Sequence, residues 1–146
     1  MNNIKKYFNS RIFESSKSLY VVRYQTDLEY KLMCYFESEN KINTYYQPIL
    51  SALVKNVEHE FFINIDFWIE WNSGKIELLY LANEFDFPEK AKIQILNNPD
   101  ILIKQKRISF AVVTRNKFRR VETTNIKLIK DRYIDVHCLV NFEWIN

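Results

Sequence analysis

Two carboxylates stand where chemistry could begin in this chain. Glu29 ends the stretch Tyr24-Gln-Thr-Asp-Leu-Glu29, on the first turn of a helical pattern, and Asp66 sits inside the aromatic run Phe61-Phe-Ile-Asn-Ile-Asp-Phe-Trp68. Carboxylate oxygens are hard donors that suit Mg²⁺. Two of them and a lysine make a site that hydrolyses phosphodiesters. The metal polarises the phosphate and lowers the pKa of a bound water, and the lysine stabilises the charge that develops. A lysine two residues beyond an acidic or amide residue on a strand would share its face. The strand that follows here, Ile76-Glu-Leu-Leu-Tyr-Leu-Ala82, contains no lysine.

Each carboxylate also has a structural explanation. Thr26-Asp-Leu-Glu29 has the form of a capping box, in which the glutamate closes the helix start. An aspartate between Ile65 and Phe67 needs a partner or a metal, since burying it unpaired is costly. The basic residues cluster in Lys104-Gln-Lys-Arg107 and Arg115-Asn-Lys-Phe-Arg-Arg120. Lys104, Lys106, Arg107, Arg115, Lys117, Arg119 and Arg120 are candidate phosphate contacts, or else a solvated face with a turn. The net charge of +3 is too small to choose between them. Cys34, Cys138, His59 and His137 fall into no zinc-binding spacing. Met1-Asn-Asn-Ile-Lys-Lys6 lacks an apolar signal region and no run is long enough to span a bilayer, so the cytoplasm is the expected compartment.

The elements that must position these groups follow from period and punctuation. The chain has 146 residues, 47% of them hydrophobic, which suits one domain, 1–146, with an N-terminal arm over 1–19. Its single glycine, Gly74, leaves most turns to Asn, Asp and Pro. Ser18 to Tyr24 reads as a strand. Leu28, Leu32 and Tyr35 or Phe36 form an apolar stripe that predicts a helix over about 27–38. Ile42 to Ile49 should be extended, and residues 49–57 continue as a strand with a turn near 55–59. Phe61 to Trp71 reads as one long strand, turning at Asn72-Ser-Gly74 into a returning strand, Lys75 to Leu81. Pro88 and Glu89 suggest a helix start running to about Leu96. Arg107 to Val113 is again a strand, and Leu128 to Leu139 is mixed. This order is α/β with a mixed sheet.

In order and spacing, these motifs resemble the nuclease domain of the TnsA family, the endonuclease subunits of heteromeric transposases. The stretches that carry the resemblance are Arg23-Tyr-Gln-Thr-Asp-Leu-Glu29, Ile42-Asn-Thr-Tyr-Tyr-Gln-Pro48 and Ile65-Asp-Phe67, with a weaker continuation through Ser109-Phe-Ala-Val-Val-Thr-Arg115 and Asn125-Ile-Lys-Leu-Ile129. They span roughly residues 10–135. The resemblance implies a restriction-endonuclease-like fold, a mixed central sheet flanked by helices. It also implies a Mg²⁺ held by Glu29 and Asp66 as catalytic residues, and cleavage of the 5′ ends of transposon DNA beside an integrase-like transposase and an ATPase regulator. The family's acid/Gln-x-Lys pair falls on Tyr80-Leu-Ala82; the registers Leu78-Leu-Tyr80 and Glu77-Leu-Leu79 supply no lysine either. Lys75, Lys90 and Lys92 are the nearest lysines that could replace it. Isoleucine replaces the proline usual before the aspartate, and no length remains for the family's separate C-terminal partner-binding domain. The expectation is a catalytically impaired, DNA-binding member. The competing expectation is a non-enzymatic protein-interaction module unrelated to DNA. Basic residues flanking the Glu29–Asp66 pocket favour the first, and a neutral rim beside an aromatic patch favours the second.

Overall fold

In the computed structural model, the described residues are 9–82, 87–88, 90–96, 107–122 and 126–128. They form one helix of eight or more residues and eleven strands in three sheets. The largest sheet has five strands. β3 (Ile42–Tyr46), β6 (Phe67–Trp71) and β7 (Ile76–Leu81) pair antiparallel in that order; β9 (Ile108–Val113) lies parallel to β7, and β10 (Phe118–Val121) closes the edge antiparallel to β9. A second sheet has β4 (Ser51–Lys55) at its centre, between β5 (Glu60–Asn64) and β8 (Lys92–Leu96), with β11 (Ile126–Leu128) parallel to β8. β1 (Arg11–Phe13) and β2 (Val22–Tyr24) pair as a small ribbon, so residues of the N-terminal arm pack on the body.

The two-residue period of the central strands explains the layering. Trp68, Ile76, Leu78, Phe110 and Val112 point to one face, where they join Ala52, Val54, Ile93 and Ile95 of the second sheet in one core. Phe67, Ile69, Leu79, Ala111 and Val113 point to the other, against Met33 and Phe36 of the helix α1 (Asp27–Ser38). The five-stranded sheet is therefore apolar on both faces, with a helix on one and a sheet on the other. A sheet flanked by helices was expected; among the described residues a helix covers one face and a second sheet covers the other.

The helix itself spans the expected residues. Met33 and Phe36 are its buried apolar side chains, with Leu28 and Leu32 half-buried and Tyr35 exposed. Its C-terminal end is held by the arm. Lys17 Nζ donates to the carbonyls of Phe36 (2.8 Å) and Glu39 (2.7 Å), groups that the last turn leaves without intrahelical partners. Ser15 Oγ, Ser16 N (3.1 Å), Ser16 Oγ (2.6 Å) and Tyr45 Oη (2.7 Å) all donate to the Glu37 carboxylate. Burial pushes this carboxyl up, but the hydrogen bonds outweigh it and hold it down at about 2, against an ordinary 4.5. A depressed pKa stabilises the fold above the unfolded value and loses that contribution as pH falls through the folded one. Stability should therefore drop by about 1–2 kcal/mol between pH 4.5 and 2 after solvent screening. Glu37→Gln should flatten that part of a urea-midpoint profile against pH.

Two sequence expectations are corrected. The segment after Pro88 is strand β8 between Lys92 and Leu96, not a helix. Ile93 and Ile95 are both buried, and β-branched residues in alternation fit a central strand better than a helix. Proline and glutamate supplied a helix start, but pairing with β4 outweighs it. Phe61 to Trp71 is not one strand. It breaks at Ile65–Asp66, where the chain leaves the second sheet and enters the first. The hairpin turn is where the sequence placed it. Gly74 has φ +89°, and its N–H donates to the Trp71 carbonyl (2.9 Å). This left-handed position is one that only glycine takes at little cost.

Candidate functional site

The strand break places Asp66. Ile65 N–H still bonds to Leu50 of the second sheet (2.9 Å), whereas Asp66 N–H bonds to the Leu79 carbonyl (2.9 Å) in the first. The Asp66 Oδ2 then accepts from Leu81 N–H at 2.7 Å. One residue thus ties the start of β6 to the end of β7, and the half-buried carboxylate caps a ladder that has run out of partner strand.

Glu29 is set by the helix start. Thr26 is the N-cap, and its Oγ1 accepts from Glu29 N–H (3.2 Å). Glu29 Oε1 in return accepts from the N–H groups of Thr26 (3.1 Å) and Gln25 (2.8 Å), which completes the capping box. The side chain is buried. The approach to this cap is fixed by Gln47 of the Tyr45-Tyr-Gln-Pro48 motif. Its Oε1 accepts from Arg23 N–H (2.9 Å) and its Nε2 donates to the Arg23 carbonyl (2.6 Å), as a neighbouring strand would. That glutamine holds β2, and with it Gln25 and Thr26, beside β3.

Both carboxylates line one cleft of about 870 Å³. It opens at the end of the five-stranded sheet where β7 and β9 finish together, the register pairing Leu81 with Val113. The helix start contributes Gln25 to Glu29 and Lys31, the sheet contributes Asp66, Leu81 and Ala82, and the turn after β9 contributes Thr114 to Lys117. That turn is closed by Thr114 N–H to the Lys117 carbonyl (2.8 Å) and by Lys117 N–H to Thr114 Oγ1 (3.1 Å). Arg115, Asn116 and Lys117 are all exposed on it. Among the described residues, no group of three or more His, Cys, Asp or Glu gathers as a metal would require of an all-protein cage. Two carboxylates nevertheless suit Mg²⁺, which keeps several waters and is often held by one or two acidic side chains and a substrate phosphate.

The remaining candidates divide. Tyr80 packs into the core between the two sheets; burial pushes its hydroxyl up, and the Asp66 carboxylate adds to the effect. Ala82 touches that core and the cleft. The β7 residues that face α1 are Glu77, Leu79 and Leu81, by their alternation with Ile76, Leu78 and Tyr80. Leu79 and Leu81 are thus level with Asp66, and neither carries charge. Glu77, in the third register considered, is engaged elsewhere. Arg120 Nε meets its Oε2 at 2.7 Å and Ser109 Oγ donates to it at 3.2 Å.

Of the basic residues, Arg115 and Lys117 line the cleft. Arg119 donates to the carbonyls of Phe87 (3.1 Å) and Pro88 (3.4 Å), with its guanidinium 5.5 Å from the Phe87 ring centre. Arg120 is committed to Glu77. Arg107 precedes β9, at the opposite end from the cleft, and Lys104 and Lys106 lie outside the described residues. The three lysines proposed as substitutes are not at the cleft. Lys75 follows the hairpin turn at the far end of β7, Lys92 pairs with Lys55 in the second sheet, and Lys90 is exposed before β8. Sequence reasoning missed Lys31 as a cleft residue. Its only signal was its place two residues after Glu29, which on a helix does not by itself put it on the same face.

No helix among the described residues is long and apolar enough to cross a membrane. Comparison with protein-family models, with curated proteins and with solved structures finds no match to this chain.

Proposed function

We propose that this chain is a TnsA-like subunit of a DNA-transposition apparatus, on a restriction-endonuclease-like scaffold, that binds duplex DNA and cleaves it poorly. The observation that carries the reading is one cleft that holds Glu29 and Asp66, with Lys31 and Asp27 on the helix side and the cations Arg115 and Lys117 on the turn, beside a β7 strand end that has no lysine. Three antiparallel strands, β3, β6 and β7, with β9 parallel to the last of them, support the scaffold assignment. Glu29 and Asp66 would hold Mg²⁺, which when bound supplies charge to the phosphate and acidifies a water. Leu79 and Leu81 offer nothing to position or activate that water. Loss of one positioned electrostatic group removes about 3–4 kcal/mol of transition-state stabilisation, two to three orders of magnitude in rate. An integrase-like transposase and an ATPase are the partners this reading implies. The charged rim argues for DNA over the alternative, a protein-interaction module.

The test uses isosteric amides, because alanine would also remove hydrogen-bond acceptors. Asp66→Asn keeps an acceptor for Leu81 N–H, and Glu29→Gln keeps one for the helix cap. With supercoiled plasmid and Mn²⁺, the wild-type protein should bind in a salt-sensitive manner and nick little, alone or with a transposase. Nicking abolished by Asp66→Asn would overturn the impaired reading. Absence of duplex binding at low salt would overturn the DNA reading and favour the protein-interaction module.

A further inference from the structure

The parallel pairing of β7 and β9 brings a second source of positive charge beside the strand end that lacks a lysine. A lysine in the family position would rise from the end of β7 on the α1 face, level with Leu79 or Leu81. Val113 lies beside Leu81 on the neighbouring strand and points to the same face. Arg115 follows two residues later, in the turn after β9, and lines the cleft there. Lys117 closes the same turn, and both line the cleft with the two carboxylates.

We propose that Arg115 and Lys117 hold a DNA phosphate in this cleft from the β9 side, while the end of β7 stays without a charged group. The proposal rests on the DNA-binding reading and deepens it. A guanidinium offers a fixed fork of donors for a phosphate, and an ammonium offers three more. Arg119 and Arg120 cannot share this task, because their guanidinium groups are bound to Phe87, Pro88 and Glu77.

The experiment measures affinity of the full chain for a short duplex as a function of salt. Each lost phosphate contact lowers the slope of log K against log salt by about 0.9. Arg115→Ala and Lys117→Ala should each show that loss, Arg115→Lys should restore the slope, and a change at Lys41, exposed beside the hairpin turn at the far end of the sheet, to alanine should leave it unchanged. The turn side chains are exposed, so these variants should fold, with circular dichroism as the check. Wild-type binding with unaltered slopes in both alanine variants would overturn this proposal and leave the DNA reading standing. A wild-type chain that binds no duplex would overturn both.

Discussion

Arg120→Ala should destabilise the protein by about 3 kcal/mol, the low end of the cost of stripping a buried charge of its partner. Glu77 is 1% exposed, on the α1 face of β7, whereas the Arg120 side chain is 51% exposed on β10. The arginine reaches over with Nε at 2.7 Å and Nη2 at 3.4 Å from the two carboxylate oxygens. Its removal leaves Glu77 with Ser109 as its only described hydrogen-bond donor. The exposure of Arg120 keeps the figure at the low end, since water can enter the space it vacates. Arg120→Lys retains charge but loses the planar fork, and should fall between wild type and alanine. Replacing both partners with leucine should recover much of the loss, because a buried pair stabilises little relative to apolar packing. Urea denaturation of the four proteins separates these outcomes. An unchanged midpoint in Arg120→Ala would mean that water replaces the guanidinium beside Glu77 at little cost.

Phe36→Ala should cost about 3–5 kcal/mol, the range for truncating a buried aromatic. Phe36 is the residue through which α1 grips the sheet. Its ring meets Phe67 edge-on at 5.2 Å between centroids and Tyr45 at 4.9 Å, and all three are nearly inaccessible. Few domains have more than 5–15 kcal/mol in hand, so a large part of the stability is at stake. The loss should also reach the cleft. Phe67 follows Asp66 directly, and Phe36 lies two turns after Glu29, so the aromatic contact fixes the helix carboxylate relative to the strand carboxylate. Thermal unfolding and hydrogen exchange at the Glu29 and Asp66 amides would report both effects. A drop in melting temperature without faster exchange at those amides would separate the helix anchor from the site.

The helix of Glu29 was legible in the sequence because everything that specifies it is local. Thr26 and Glu29 close the cap three residues apart, and an apolar stripe of period 3.6 covers one face. The Asn72-Ser-Gly74 turn was equally plain, since a left-handed backbone position at a hairpin calls for the chain's one glycine. That the two carboxylates share a cleft followed from the resemblance to a family and not from any spacing between residues 29 and 66. Tertiary structure decided the rest. The strand β8 resists local reading because Pro88-Glu89 is a sound helix start, and only pairing with β4 reveals how Ile93 and Ile95 are used. The break at Asp66 is likewise invisible in Phe61 to Trp71, where period-two hydrophobicity runs on through the change of sheet. Which face of β7 meets the helix depends on pairing register, and a slip of one residue exchanges Tyr80 and Ala82 for Leu79 and Leu81. The sorting of Arg115 and Lys117 from Arg119 and Arg120 has the same cause. All four read alike as charges in a row, and a strand edge then turns one pair to the cleft and ties the other to Phe87 and Glu77. Local signals set conformation over a few residues, whereas the surroundings of a charge are set by segments far apart in the chain, and those only the fold brings together.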